Sequence, residues 1–300
     1  MNTEMNTELN PDIDPTLAQP VSPSGPSYGQ PVLTIRNVSQ TFGDKLIIRD
    51  ITKTILDVIL PTAVKGQIVA LLGPSGRGKT VLFHRIAGLE KPTTGEVRIG
   101  LHQLVVDPGD VGVVFQDYAL FEHRTVYGNL YVAAREAGLA DMKAQELIEK
   151  FLQAFALSDK GKNYPAELSG GQRQRVAIMQ QLLRSSNNSD GFLLLMDEPF
   201  SGLDPVMIEQ VANVIVQVTD LSERNTTVIV THDVSAAVSI ADHIWLMGFE
   251  RGAQGAVIPG ATIVEEIDLV AMGLAWQPNI MELPQTHDMI RQIKVRFKTL

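Results

Sequence analysis

Five apolar residues, Ile68-Val-Ala-Leu-Leu72, run straight into Gly73-Pro-Ser-Gly-Arg-Gly-Lys79-Thr80. The pattern G-x-x-x-x-G-K-T on the end of a strand-like run, with a helix predicted from Lys79 to Leu89, commits this part of the chain to a β–loop–α unit. The glycines Gly73, Gly76 and Gly78 let successive backbone N–H groups converge on phosphate oxygens, and the following helix start adds partial positive charge. Lys79 can then reach the outer phosphates as a point charge, and the Thr80 hydroxyl can serve Mg²⁺. Pro74, Ser75, Arg77 and Val81 complete the candidate nucleotide loop.

A second apolar run, Phe192-Leu-Leu-Leu-Met196, ends in Asp197-Glu198-Pro199. Such a run predicts a strand buried on both faces, with its acids at the carboxyl tip where open α/β sheets bind ligands. Asp197 is the candidate metal ligand, and Glu198 is placed to polarise a water. An isolated Asp-Glu pair would read as two solvated acids; after a phosphate loop the catalytic reading takes precedence.

Leu168-Ser169-Gly170-Gly171-Gln172-Arg173-Gln174-Arg175 is a third element. Ser169 followed three residues later by Gln172 also makes a helix capping box, so the segment marks a helix start suited to gripping phosphate. This octapeptide, taken with the two motifs before it, resembles the signature of the ATP-binding-cassette (ABC) ATPases. The resemblance spans about Val32 to Met247. It implies an α/β fold of the P-loop NTPase class: a mixed-sheet core, an antiparallel β subdomain and a helical subdomain carrying the signature. It also implies ATP with Mg²⁺ as cofactors, and a second copy of the chain whose Ser169–Gln172 segment completes the site at Lys79.

The same resemblance assigns further residues. Gln116, in Val113-Val-Phe-Gln116-Asp117, corresponds to the glutamine that contacts the metal beside the transporter contact. Asp204, in Ser201-Gly-Leu-Asp204, corresponds to the D-loop acid, although Asp204-Pro205 alone is also a sound helix start. His232, after Thr227-Val-Ile-Val-Thr231, corresponds to the switch histidine of the γ-phosphate. Phe42 matches the aromatic that stacks on adenine, where tyrosine is commoner; a core aromatic is the competing reading. Arg77 stands where a small residue is usual, Val81 where Ser or Thr is common, and Ile51–Lys65 is longer than usual.

Composition is compatible with this reading. The 300 residues are 44% hydrophobic, with a net charge of −9 and no cysteine. The charge speaks against nucleic acid as a partner. The cysteine count leaves out disulfides and thiolate metal sites. No run reaches the ~18–20 apolar residues of a spanning helix, and the N-terminus lacks a signal-peptide layout. The composition of residues 1–31 predicts a disordered tail. Residues 32–250 are expected to form the ATPase domain, with a helical subdomain at about 117–175, and 251–300 a short extension. Ser185–Asp190 reads as a loop insertion, Gly248–Thr262 as a turn-rich hairpin, and Thr286–Leu300 as a packed helix with Ile290, Ile293 and Phe297 on one face.

Phe115–His123 and Tyr164–Gly171 resemble the importer-type branch. The implied function is the ATP-hydrolysing subunit of an importer of a small polar or anionic solute. Its implied partners are integral membrane permease subunits and a separate substrate-binding protein, at the cytoplasmic face of the inner membrane. An export or lipoprotein-release machine with separate membrane subunits is the alternative, with a soluble non-transport ABC ATPase behind it.

Overall fold

The computed structural model describes residues 27–59, 65–184, 191–277 and 279–300. Most of the expected tail and the Ser185–Asp190 insertion lie outside these residues. The antiparallel sheet reaches back beyond residue 32: strand β1 (Ser27–Phe42) pairs antiparallel with β2 (Lys45–Ile59), with Ser27 opposite Ile59. Thus Ser27–Pro31, expected in the tail, belong to the antiparallel sheet, whose order is β2-β1-β4-β5 with β4 (Thr94–Ile99) and β5 (Leu104–Val105).

The central sheet has the order β10-β9-β3-β8-β7-β6. Its strands are β3 (Gln67–Leu72), β6 (Gly112–Val114), β7 (Leu193–Asp197), β8 (Thr226–Thr231), β9 (His243–Gly248) and β10 (Thr262–Asp268). All neighbours are parallel except β9–β10. Strand alternation divides the apolar side chains between two faces. Val69 and Leu71, Leu193 and Leu195, Val228 and Val230, and Trp245 and Met247 pack toward the antiparallel sheet and helix α1 (Lys79–Ile86). On the other face, Ala70, Leu72, Ile244 and Leu246 join the cluster of α6 (Val234–Ile240) and α7 (Pro284–Phe297). Leu194, Met196 and Ile229 there meet α4 (Gly170–Arg184) and α5 (Pro205–Thr219).

Helices α2 (Val126–Glu136) and α3 (Asp141–Ala154) share a separate core with α4, which forms the expected helical unit. Ala144, Ile148 and Leu152 are the buried stripe of α3, at the spacing of an amphipathic helix. The C-terminal segment is built into the fold. Strand β10 extends the main sheet, and α7 seats Ile293 at 1% exposure with Ile290 and Phe297 against the second cluster. The expected turn-rich hairpin at Gly248–Thr262 is the connection of antiparallel β9 and β10: Thr262 stands opposite Gly248, and Arg251 bridges Val257 within the turn.

Asp242, just ahead of β9, is 2% exposed and accepts a 2.6 Å hydrogen bond from the Ile68 amide. Its other oxygen is buried and makes no hydrogen bond of ordinary length among the described residues, although the Trp276 side chain lies near enough to favour the charged form. Burial pushes this carboxyl up to about 7, with Ile68 N–H pulling the other way and the Asp220 charge adding to the rise. The folded state therefore holds a proton that the unfolded chain has already released, and stability present below about pH 4 is lost as pH rises through about 7. The full effect is on the order of 4 kcal/mol. We expect Asp242→Asn to gain stability relative to the parent between pH 5 and pH 8 in thermal melts. An equal difference at both pH values would show that Asp242 does not titrate in this range.

Candidate active site

Strand β3 ends at Leu72, and Gly73 lies so close to β9 that a Cβ there would collide with the Met247 carbonyl oxygen. Gly78 turns the chain into α1 with φ 79°, a left-handed geometry that favours glycine. No side chain caps α1, so the first-turn N–H groups are left for a ligand at an exposed loop of Ser75, Gly76 and Thr80. Val81 instead packs on the core.

Lys79 is 7% exposed and folded back into the loop, donating to the carbonyls of Gly73 at 2.8 Å and Pro74 at 3.3 Å. Burial holds its ammonium below the usual lysine range, and the charges of Glu198 and Asp197 oppose that shift. Arg77 points elsewhere: its Nε donates to the Leu300 carbonyl at 3.0 Å, and its guanidinium lies 4.7 Å over the Phe249 ring.

The acids arrive from β7, separated from β3 by β8 alone. Glu198 follows the strand with φ 48°, a strained value for a non-glycine residue, and its amide donates to the Val230 carbonyl of β8. Its side chain is 17% exposed, with Oε1 3.9 Å from Lys79 Nζ. Oε2 accepts from Thr231 Oγ1 at 3.2 Å, from the His232 amide at 3.4 Å and from His232 Nδ1 at 2.9 Å. A carboxylate only accepts, so this bond puts the imidazole proton on Nδ1. Asp197 Oδ1 is buried with no hydrogen-bond partner among the described residues. Burial raises the Asp197 carboxyl and the Glu198 charge raises it further, while His84 and Lys79 lower it. An orphaned carboxylate oxygen of that kind is suited to a cation. Among the described residues no group of three or more His, Cys, Asp or Glu could hold a metal.

Gln116 is exposed and donates through Nε2 to Ser201 Oγ at 3.3 Å, which joins the loop after β6 to the loop after β7. Asp204 caps α5 through the amides of Val206 and Met207, both at 3.0 Å, so it serves the helix-start role anticipated for it. Ser169 and Gln172 make the capping box, with the Ser169 amide donating to Gln172 Oε1 and the Gln172 amide to Ser169 Oγ. Gly170 is half-buried; a Cβ at Gly171 would meet the terminal methyl of Met207, which would have to shift. Phe42 is 50% exposed at the end of β1, with Arg85 above its ring at 5.5 Å.

The structure therefore brings Lys79, Asp197, Glu198 and His232 into one cluster, while Ser169–Gln172 open a helix with packing partners of its own. Helix α1 packs against β2, β7 and β8, whereas α4 packs against α2, α3, α5 and β6. Two site residues were not read from the sequence. Thr231 binds Glu198, and fully buried Gln174 donates to the Pro199 carbonyl at 3.2 Å, tying α4 to the Glu198 loop. Gln174 stood inside the signature octapeptide, but only its burial discloses that link.

This geometry generates a pair of expectations. Lys79→Ala should weaken ATP binding by about 10- to 100-fold, the scale of lost charge-assisted bonds. Glu198→Gln should keep ATP affinity and lower turnover by about 10²- to 10⁴-fold. Calorimetry and phosphate release measure the two; unchanged affinity in the first or normal turnover in the second would remove that residue from its role.

Residues 57–201 match the family described as ABC transporter. The Fe(3+) ions import ATP-binding protein FbpC of Rhizobium etli is 38% identical over 220 residues, covering 72% of this chain and 58% of that protein. The chain thus spans little more than half of that relative's length. The methionine import ATP-binding protein MetN of Corynebacterium jeikeium is 34% identical over 286 residues, covering 88% of this chain and 76% of that protein. Among solved structures, CbiO1 of Clostridium perfringens, part of the ABC transporter complex CbiONQ, has a similar fold. Its TM-score is 0.64 at 21% identity, over 90% of this chain and 96% of that one. The phosphate loop, the acids after β7 and the capped start of α4 thus occur together in a chain that matches import ATP-binding proteins over most of its length, and it belongs to the ABC transporter family.

Proposed function

We propose that this chain is the ATP-hydrolysing subunit of an ABC importer, working as a pair of copies with Mg²⁺ beneath integral membrane permeases. The observation that carries the reading is the pair of helix starts suited to phosphate, α1 and α4, which pack against different elements of the chain. Ser75, Gly76 and Thr80 on one and Ser169 on the other are all exposed. Hydrolysis chemistry favours a site closed to bulk water, and a second copy that lays its α4 start over Lys79 would close it. Mg²⁺ would be held by Thr80, Gln116 and Asp197, and would neutralise phosphate charge.

In the reaction, Lys79 would exchange the Gly73 and Pro74 carbonyls for phosphate oxygens. Glu198 would take a proton from the attacking water as its oxygen bonds to the γ-phosphorus and the bond to the ADP oxygen breaks. His232, adjoining Glu198, would report γ-phosphate occupancy. Phe42 would stack on the adenine, and Asp204 would line the dimer seam.

A groove of about 560 Å³ beside Gln116, bordered by Val113, Phe115, Phe121, Ala177 and Gln180, supports a docking place for the membrane subunit. Among the described residues no helix is long and apolar enough to cross a membrane. The cytoplasmic face of the inner membrane is the place such a pair would work, with a substrate-binding protein on the other side. Relatives are named for import of iron, methionine, polyamines and sulfate. The cargo proposed here is a small polar or anionic solute.

Tagged Glu198→Gln chain captured from native membranes with Mg-ATP, followed by mass spectrometry, tests this reading. An integral membrane protein that co-purifies, and is lost when Phe121 is changed to glutamate, is the expected result. Recovery of only ribosomal, DNA-associated or other soluble proteins would overturn transport.

A further inference from the structure

The phosphate loop is tethered from two sides. On the inside, Lys79 Nζ holds the carbonyls of Gly73 and Pro74. On the outside, Arg77 holds the Leu300 carbonyl and covers the Phe249 ring. Gly76 and Gly78 on either side of Arg77 have φ of 77° and 79°, so the loop owes its shape to glycines and needs fixing by its neighbours. The inner tether is the one that ATP would compete for, because two of the three Lys79 N–H donors already serve the carbonyls. Arg77 bonds to no group that phosphate would replace.

What Arg77 grips is itself firmly seated. Leu300 is 5% exposed and fills the space over Gly248, where an added Cβ would meet the leucine side chain at 2.7–3.1 Å. Its carbonyl also accepts from the Phe249 amide at 3.3 Å. Behind it, α7 is packed through Ile293 and Met289 on the cluster that includes Leu72, the last residue of β3 before the loop. The C-terminal segment therefore bears on the phosphate loop from two directions: through Leu72 at its base and through Arg77 at its crest.

We propose that Arg77 is a positioning residue for ATP binding. It acts through Leu300 and Phe249 and not through phosphate, so the seating of α7 sets nucleotide affinity. This rests on ATP being the ligand of the Lys79 loop, which parent-chain calorimetry checks independently. The segment that would carry this control, residues 284–300, makes no direct contact with the groove beside Gln116: no residue of it borders that groove. Signals arriving at α7 would thus alter ATP affinity without passing through the permease contact.

The test is a double-mutant cycle on the full chain, reading Mg-ATP affinity by calorimetry and KM against kcat by phosphate release. Arg77→Ala should raise Kd and KM roughly tenfold, the scale of one charge-assisted bond, and leave kcat within about twofold. Leu300→Ala and Phe249→Leu, both remote from the phosphates, should produce the same split. Each combined with Arg77→Ala should add little, since one tether is removed in both. Arg77→Lys should restore part of the affinity, because it can donate to the Leu300 carbonyl but cannot stack a planar group on Phe249. Full additivity of the double variants, or an affinity loss confined to Arg77→Ala, would mean that Arg77 binds phosphate directly and would overturn the proposal. Thermal melts run alongside identify any variant whose loss is unfolding; Phe249→Leu, which preserves apolar volume, keeps the cycle decisive if Leu300→Ala does not fold.

Discussion

An ammonium and a carboxylate, Lys79 and Glu198, face each other at 3.9 Å with exposures of only 7% and 17%. Everything at the site depends on their being held so near and so dry. The cause is the parallel register β3–β8–β7, which brings the Lys79 loop and the acids after β7 to the same edge. Neither group could be buried alone at tolerable cost. Together with Asp197 they form a polarised cluster in which a lysine held low and an aspartate held high both stand to gain from added charge. A polyphosphate satisfies the first and a divalent cation the second. Glu198 itself takes a left-handed φ, and its carboxylate is held by Thr231 and His232.

The parts that were legible in the sequence were those specified locally. Apolar runs ending in Gly73 and Asp197 mark strands because burial on both sheet faces leaves no room for polar side chains. Ser169 and Gln172 foretell a helix start because the capping box spans only four residues. Helix α1 was expected to reach Leu89 and ends at Ile86; Gly88, at φ 69° and pressed on the Asp107 backbone, takes the chain out of the helix there.

What was not legible is set by partners far away in sequence. Strand β10 lacks a continuous apolar run, because Glu265 and Glu266 face solvent and ion pairs at the sheet edge. Ser27–Pro31 look like tail by composition and become strand only because Leu56–Ile59 offer an edge to pair with. Arg77 reads as a loop residue until its Nε is found donating to Leu300, more than two hundred positions on. Asp242 gives no sequence sign that its carboxyl is 2% exposed beneath the Ile68 amide.

The central claim is that each working site takes its phosphate loop from one chain and its α4 start from another. A mixing experiment addresses it directly. Lys79→Ala removes the loop function and Ser169→Arg blocks the helix start, so each variant alone should be inactive. Mixed, they can form a pair in which the loop of the Ser169→Arg chain meets the α4 start of the Lys79→Ala chain. The account predicts that the mixture recovers ATP turnover that neither variant shows alone. Turnover that stays absent on mixing, with both variants folded and the parent active, would contradict a shared site.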